Sequence, residues 1–298
     1  MIGYMSVRRS FAKDLFRKKK GGRSFVGTFG LFMVLAVMAA IFLFPIIFMI
    51  SRAFMPLSEL LRFPPLIFPR NPTLEHFASV TGLFNTTLVP FSRYVFNTVL
   101  IVSAGVFGQM LFASMAAFPL AKYDFAGDNF LSRLIVIALM VSPVVTAVPA
   151  YLIMSYMGII DTYLAVILPT FAGTLGLYLM KNFMSVVPNS LIEAAHIDGA
   201  NEFKCLFTVV MPAVKPAFIT LFILSFQGMW GATGGAVIYT EQLKPLSAAL
   251  SQIAAAASIA RAGDMMVVSL IMFAIPILLF IFMQTQVLET MTTSGMKE

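Results

Sequence analysis

The sequence predicts an all-α membrane protein with six transmembrane helices. Three observations carry this prediction. The 298-residue chain is 59% hydrophobic and 11% charged, with a mean hydropathy of +0.92, outside the range of soluble globular domains. Six largely apolar runs are long enough to cross a hydrocarbon core of about 30 Å, which takes a helix of about 20 residues. They are Phe25–Ser51, Tyr94–Ala121, Phe130–Ser155, Thr162–Met180, Ala217–Thr240 and Met265–Gln286, and the third alone carries a charge, Arg133. Basic residues are also distributed unevenly between the runs, and this bias fixes an orientation.

Residues 1–24 hold Arg8, Arg9, Lys13, Arg17, Lys18, Lys19, Lys20 and Arg23 ahead of the first run. The run is too long for a secretory signal peptide and lacks a small-residue cleavage pattern, so it stays as a helix. With this end inside, the cytoplasmic segments carry 14 of the 20 Lys and Arg, and both termini are cytoplasmic. The net charge of +7 is then topological, and no nucleic-acid partner is implied.

The first outer loop, about 52–93, contains Pro56, Pro64, Pro65, Pro69, Pro72 and Pro90, which disfavour continuous helix and favour short extended pieces. Pro45, Pro119, Pro143, Pro149, Pro169 and Pro276 fall inside the runs, where proline is tolerated chiefly in packed or cavity-lining helices. The fifth run has GMWGATGG at its centre, with Gln227, Trp230 and Thr233 beside four glycines. This pattern reads either as a transport site or as close helix packing. Trp230 could stack on a sugar face with Gln227 and Thr233 as hydrogen-bond partners, or it could be a packing residue. The second outer loop, about 241–264, is alanine-rich and reads as a short helix that either probes a partner or caps the bundle. The six-helix domain spans 25–286 and the tail 287–298.

Catalytic motifs are missing. There is no phosphate-binding GxxxxGK[ST] loop, no HExxH and no CxxC, so no nucleotide hydrolysis is read from this chain and it is not expected to be an enzyme. The lone Cys205 allows no disulfide framework, and His76 and His196 fall on opposite sides of the membrane, so no metal site is expected. All 13 carboxylates lie in loops, termini or span ends. A proton-coupled carrier needs an ionisable group near the bilayer centre, so proton coupling is disfavoured, while sodium held by backbone carbonyls stays open. An ion-driven secondary transporter is the alternative function, and a non-transporting anchor the third.

Between the fourth and fifth runs lies a polar island, PNSLIEAAHIDGANEFKCLFTVVMPAVKP, from Pro188 to Pro216. Ser190 and Glu193 have the S-x-x-E spacing of a capping box. The helix they open is expected to end near Asp198, because Gly199 can take a left-handed conformation. Asn201 can cap a second helix with Glu202 in its first turn. Phe203, Leu206, Phe207 and Val210 fall on one face of it, and Pro212 ends it. On physical grounds alone, such a pair reads as lying on lipid headgroups.

Glu193-Ala194-Ala195, then Gly199, then Val209-x-Met211-Pro212, resembles the EAA loop of ABC importer permeases, which usually have isoleucine and leucine at the places of Val209 and Met211. EAAHIDGANEF is similar to the carbohydrate-uptake, maltose-type, binding-protein-dependent branch and specifically to its six-span partner subunit. GIIDTYLAVILP (158–169), FPRNPTLEHF (68–77) and the final SGMK (294–297) resemble the same subunit, and the resemblance departs around GMWGATGGAVIYTEQLKP. It implies a type I importer permease fold in a bacterial inner membrane and a coupling loop, about 187–213, docked on an ATP-binding subunit. The implied coupling residues are Ser190, Glu193, Ala194, Ala195, Asp198, Gly199, Phe203, Leu206, Phe207 and Pro212. Of these, Phe203, Leu206 and Phe207 could face either the ATPase or the permease. Gly295 and Lys297 would reach the ATPase from the tail. The implied partners are a second homologous permease, two ATP-binding subunits carrying ATP and magnesium, an extracellular or periplasmic sugar-binding protein and membrane lipid. This chain itself would bind no cofactor, and the expected cargo is an oligosaccharide. His196 and Cys205 are given no role.

Overall fold

In a computed structural model, whose described residues are 25–86, 89–255 and 262–294, the regular structure is helical and no strand occurs among the described residues. The chain forms two compact units, residues 1–48 and 49–298. In the first, residues 25–48 are apolar helix, the start of α1 (Phe25–Ala53), with Pro45 inside it.

The second unit is organised around α4 (Phe91–Lys122), which packs on α7 (Leu164–Phe171), α8 (Thr174–Ser185) and α11 (Lys215–Trp230). Small residues let these helices approach closely. A Cβ on Gly108 would lie 1.9 Å from the Phe171 ring, so only glycine allows α7 to cross there. Val102, Met110, Ala117, Met180, Met184 and Leu221 fill the main core. A smaller core joins Val80, Tyr94, Leu250 and Val267 where α3 (Glu75–Thr86) and α12 (Leu246–Ala255) meet α13 (Ala262–Ser294).

Four helical stretches are long and apolar enough to cross a membrane unaided: Gly27–Ala53, Phe91–Lys122, Leu164–Ser185 and Ala262–Gln284. Two bent pairs bring the number to six if each is one crossing. The expected third span breaks into α5 (Asp128–Met140) and α6 (Pro143–Tyr156), which meet at 106°. Ser142 caps α6 by accepting from Val144 N at 3.4 Å, and Pro143 follows at its first position, so the chain restarts a helix where one span is expected. In the fifth run the helix ends at Trp230. The other interior prolines, Pro45, Pro119, Pro149, Pro169 and Pro276, do lie inside helices.

The first outer loop departs from expectation. α2 (Leu57–Leu60) is short, but α3 is a 12-residue helix. No proline lies between Pro72 and Pro90, and Thr73 Oγ1 accepts from Glu75 N at 2.9 Å to open α3. The Glu59 carboxylate folds the proline-rich part on itself, accepting from Arg70 N (2.9 Å), Asn71 N (3.1 Å) and Asn71 Nδ2 (3.1 Å). His76 lies 3.0 Å from both Asp264 Oδ1 and the Met55 carbonyl, and Ser79 donates to Asp264, so α3 is pinned to the start of α13. In the second outer loop, α12 buries Leu246 to Leu250 against the bundle, the capping alternative.

The end of α4 nearer its N-terminus is a polar junction. Buried Asn97 donates to the carbonyls of Gln242 and Lys244, both at 2.9 Å, and accepts from Tyr163 OH at 2.7 Å. Tyr94 OH donates to Glu241, and Thr98 Oγ1 accepts from Leu246 N at 2.7 Å. Burial pushes the Glu241 carboxyl up, but bonds from Lys244 and Tyr94, with the Lys244 charge, outweigh it and hold the group below its ordinary value.

Candidate functional site

The 188–216 loop is built from local chain chemistry and then anchored to α4. Pro188, with φ −62° and ψ 135°, holds extended backbone before α9 (Asn189–Ile197). The expected capping box is not formed. Pro188 takes the capping position, no side chain caps the helix, and Ser190 lies one residue inside it, exposed like Glu193. Lys122, at the end of α4, donates instead to the Val187 carbonyl and to Asn189 Oδ1.

The other end of α9 follows expectation. Gly199 has φ +78°, its N–H donates to the His196 carbonyl at 2.9 Å, and Ala200 N donates to the Ala195 carbonyl at 2.9 Å. These two bonds are the paired closure of a left-handed helix stop. Asn201 then caps the second helix, its side chain accepting from Lys204 N at 2.9 Å.

That second helix, α10 (Glu202–Ala213), contains a wide π turn at Cys205–Val210. The turn rotates the apolar face away from the expected register. Cys205, Leu206, Val210 and Val214 are buried, whereas Phe203 is 60% and Phe207 44% exposed. Leu206 is therefore buried against the helical bundle. Phe203 borders a cleft of about 420 Å³ with Phe118, Tyr123 and Glu202, and Phe207 borders an apolar groove of about 800 Å³ along α4, α11 and α13. The expected stop at Pro212 also shifts. The helix runs on to Ala213 and bends 86° into α11.

Two residues without an expected role hold the pair together. His196 Nδ1 lies 3.1 Å from the Ala200 carbonyl, and its Nε2 lies 3.6 Å from the Glu202 carboxylate. Tyr123 OH donates to the same carboxylate, and burial first, then that bond, pushes the phenol up to about 12. Cys205 is fully buried behind the hinge. Sequence offered no signal for Tyr123, which only the fold brings beside Glu202. What remains outward is Glu193, Ala194, Asp198 and Gly199, with Ala195 half-buried, and Ile197 is 87% exposed at the tip. The exposed strip is small-residued and partly acidic.

Replacing Asn201 by Ala should cost about 1 kcal/mol of α10 stability, a usual capping loss. Ser190→Ala should leave stability within about 0.5 kcal/mol, as for surface changes away from a cap. Thermal unfolding of the two variants side by side checks the reassigned cap.

Of the three residues expected on a cargo path, Trp230 alone lines one of the three clefts described. Trp230 stacks on Phe226 with centroids 5.7 Å apart, donates its indole N–H to the Met272 carbonyl at 2.9 Å and borders the apolar groove. Gln227 is exposed and borders neither that groove nor a smaller cleft on the other side of α11. Thr233 lies beyond the helix end, where it accepts from Gly235 N at 3.4 Å. Gly295 and Lys297 lie outside the described residues.

A family model described as binding-protein-dependent transport system inner membrane component matches residues 109–293. The arabinooligosaccharides transport system permease protein AraQ of Halalkalibacterium halodurans is 28% identical over 268 residues, 88% of this chain and 94% of its own. Protein LplC of Bacillus subtilis is 30% identical over 223 residues, 74% of this chain and 73% of its own. A chain in the crystal structure of a bacterial ABC transporter involved in the import of the acidic polysaccharide alginate superposes with a TM-score of 0.72 at 20% identity, covering 90% of this chain and 99% of that one. The family depends on binding proteins, and the ion-driven carrier is not retained. With α5 to α11 and the whole 188–216 loop inside the matched segment, the chain belongs to the family of binding-protein-dependent transport system inner membrane components.

Proposed function

We propose that this chain is one of two permease subunits in an ATP-driven importer that takes up oligosaccharide delivered by a binding protein. The second permease is a homologous but different chain, ATP and magnesium sit on two ATP-binding subunits, and both termini face the cytoplasm. The observation that carries this is the loop itself. Two helices are closed by the Gly199 stop, latched by His196 and Tyr123 onto Glu202, and tied to α4 through Lys122. Such a loop moves as one body when a partner grips its outward strip.

Glu193, relieved of capping, is free to meet a cationic or N–H group of an ATP-binding subunit. Ala194 and Ala195 keep the strip low enough for close approach. Closure of the ATP-binding pair would move the loop, and α4 and α11, joined to it, would pass that movement to the spans. Arabinooligosaccharide transport by AraQ supports the cargo class.

The test is ATP-driven uptake by the assembled importer in vesicles, with the ATP turnover that cargo-loaded binding protein adds. Glu193→Lys should lower both at least about tenfold, equivalent to about 1.4 kcal/mol at the docking contact. Uptake that persists without ATP while an ion gradient is held would overturn the proposal.

A further inference from the structure

A second cleft lies on the side of α11 opposite the apolar groove. It has a volume of about 370 Å³, inside the usual range of about 300–1,000 Å³ for small-molecule sites. Gln109, Thr170, Gly173, Ser225 and Gly228 contribute to its lining. Its depth follows from α4, whose 32 residues make a helix about 48 Å long. Gln109 stands a little past the midpoint.

Three observations set this cleft apart from ordinary helix packing. Ser225 is 5% exposed, and its hydroxyl has no hydrogen-bond partner among the described residues. Other buried hydroxyls donate to a backbone carbonyl, as Ser114 does to Met110 at 2.6 Å, Thr98 to Tyr94 at 2.8 Å and Ser247 to Ala232 at 2.7 Å. Ser225 does not do this, and an unpaired buried polar group costs about 1–3 kcal/mol.

The span Leu164–Ser185 is also interrupted beside the cleft, at Ala172 and Gly173 between α7 and α8. Non-helical backbone at membrane depth is tolerated only inside protein or along a water-filled cavity. The Gln109 amide lies over this break, so close that a Cβ on Gly173 would be 2.1 Å from Nε2, and it makes no hydrogen bond among the described residues. Across the cleft, a Cβ on Gly228 would have nothing within 4 Å, so the space is open there. The lining, drawn wholly from described residues, has no charged side chain.

We propose that this cleft is a hydrated mid-membrane subsite on the cargo path, taking one ring of a neutral saccharide through the Gln109 amide, the Ser225 hydroxyl and Thr170 Oγ1, the last as an acceptor because it donates to the Ile167 carbonyl at 2.6 Å. Neutral donors and acceptors match sugar hydroxyls, and no cation is present to neutralise a uronate carboxylate. The subsite rests on the importer reading. It differs from a Trp230 stacking site, because that indole is spent on Phe226 and Met272.

The test uses the assembled importer in vesicles and a cationic methanethiosulfonate reagent, which reacts only with hydrated thiolates. The parent chain, whose Cys205 is fully buried, sets the background. Ser225→Cys and Gly228→Cys should react at least about tenfold faster than Val99→Cys on the apolar groove, a rate ratio equivalent to about 1.4 kcal/mol. Arabinotriose, given with binding protein and ATP, should slow modification of Ser225→Cys severalfold, and an alginate trisaccharide should not. Equal rates at Ser225→Cys, Gly228→Cys and Val99→Cys in every nucleotide state would show a face sealed by the second permease or lipid, and would overturn the subsite. Slowing by both saccharides, or by the acidic one alone, would overturn its neutral character. Loss of ATP-driven uptake in the parent would count against the importer reading, while the reactivity ratio still reports whether the cleft is hydrated.

Discussion

Gly199→Val is expected to reduce ATP-driven uptake more than tenfold, whereas Gly199→Asn retains most of it. At φ +78° an ordinary L-residue costs about 1–2 kcal/mol, a β-branched one has the least freedom to adapt, and asparagine tolerates the left-handed region. A Cβ at this position would meet nothing within 4 Å, so the effect comes from the backbone and not from a clash. Valine would relax the turn toward negative φ, break the His196 and Ala195 closures, and move α9, with His196, away from Glu202. The bundle itself should unfold within a few degrees of the parent, because the turn is exposed and local. Uptake and thermal unfolding measured on both variants check this. Equal losses for Val and Asn would mean that the docking surface cannot accept any side chain there.

Asn97→Leu is expected to give the largest loss of stability. The side chain is fully buried and serves two carbonyls and one hydroxyl. Leucine is close in size but removes all three bonds, at about 1–3 kcal/mol for a buried group left unpaired; the Lys244 carbonyl loses its partner, while Arg93 still donates to the Gln242 carbonyl at 3.3 Å and to the Tyr163 hydroxyl at 3.4 Å. These costs are not additive within one network, and the total should be on the order of 3–5 kcal/mol. Tyr163→Phe removes the bond to Asn97 and a longer, exposed one from Arg93 at 3.4 Å, and should cost about 1 kcal/mol. Thermal unfolding in detergent, together with protease access to residues 240–255, distinguishes the two, since Gln242 and Lys244 lose their bonds to α4 only in the first.

What the sequence revealed of the loop is what local chemistry decides. Gly199 and Asn201 act on bonds within five residues, so their roles could be read directly and are the ones observed. Ser190 misled because the capping-box spacing is also satisfied one residue inside a helix, and Pro188 had already set the start. The face of α10 misled because 3.6-residue spacing assumes an uninterrupted ladder, and the π turn at Cys205–Val210 widens it.

At larger scale, hydropathy found the apolar runs but not their shape. Both halves of 130–155 are apolar, so the run gives no sign that Ser142 and Pro143 turn it by 106°. Ser225 and Gln109 went unnoticed for a related reason. Each is a single polar residue in an apolar helix, and only packing shows that both face the same break at Gly173.

Helix α4 carries a mechanical consequence. Its first turns hold residues 241–246 through Asn97 and Thr98, and its end holds the loop through Lys122, with Tyr123 beside it. A ladder of i to i−4 bonds scarcely stretches, so a helix about 48 Å long behaves as a shaft with a bearing at each end. α7 and α11 meet it at Gly105 and Gly108, and α8 one turn further on at Gln109 and Ala113, which together form the fulcrum. Tilt imposed at Lys122 would then reappear at Asn97 in the opposite sense, as in a lever pivoted at its middle.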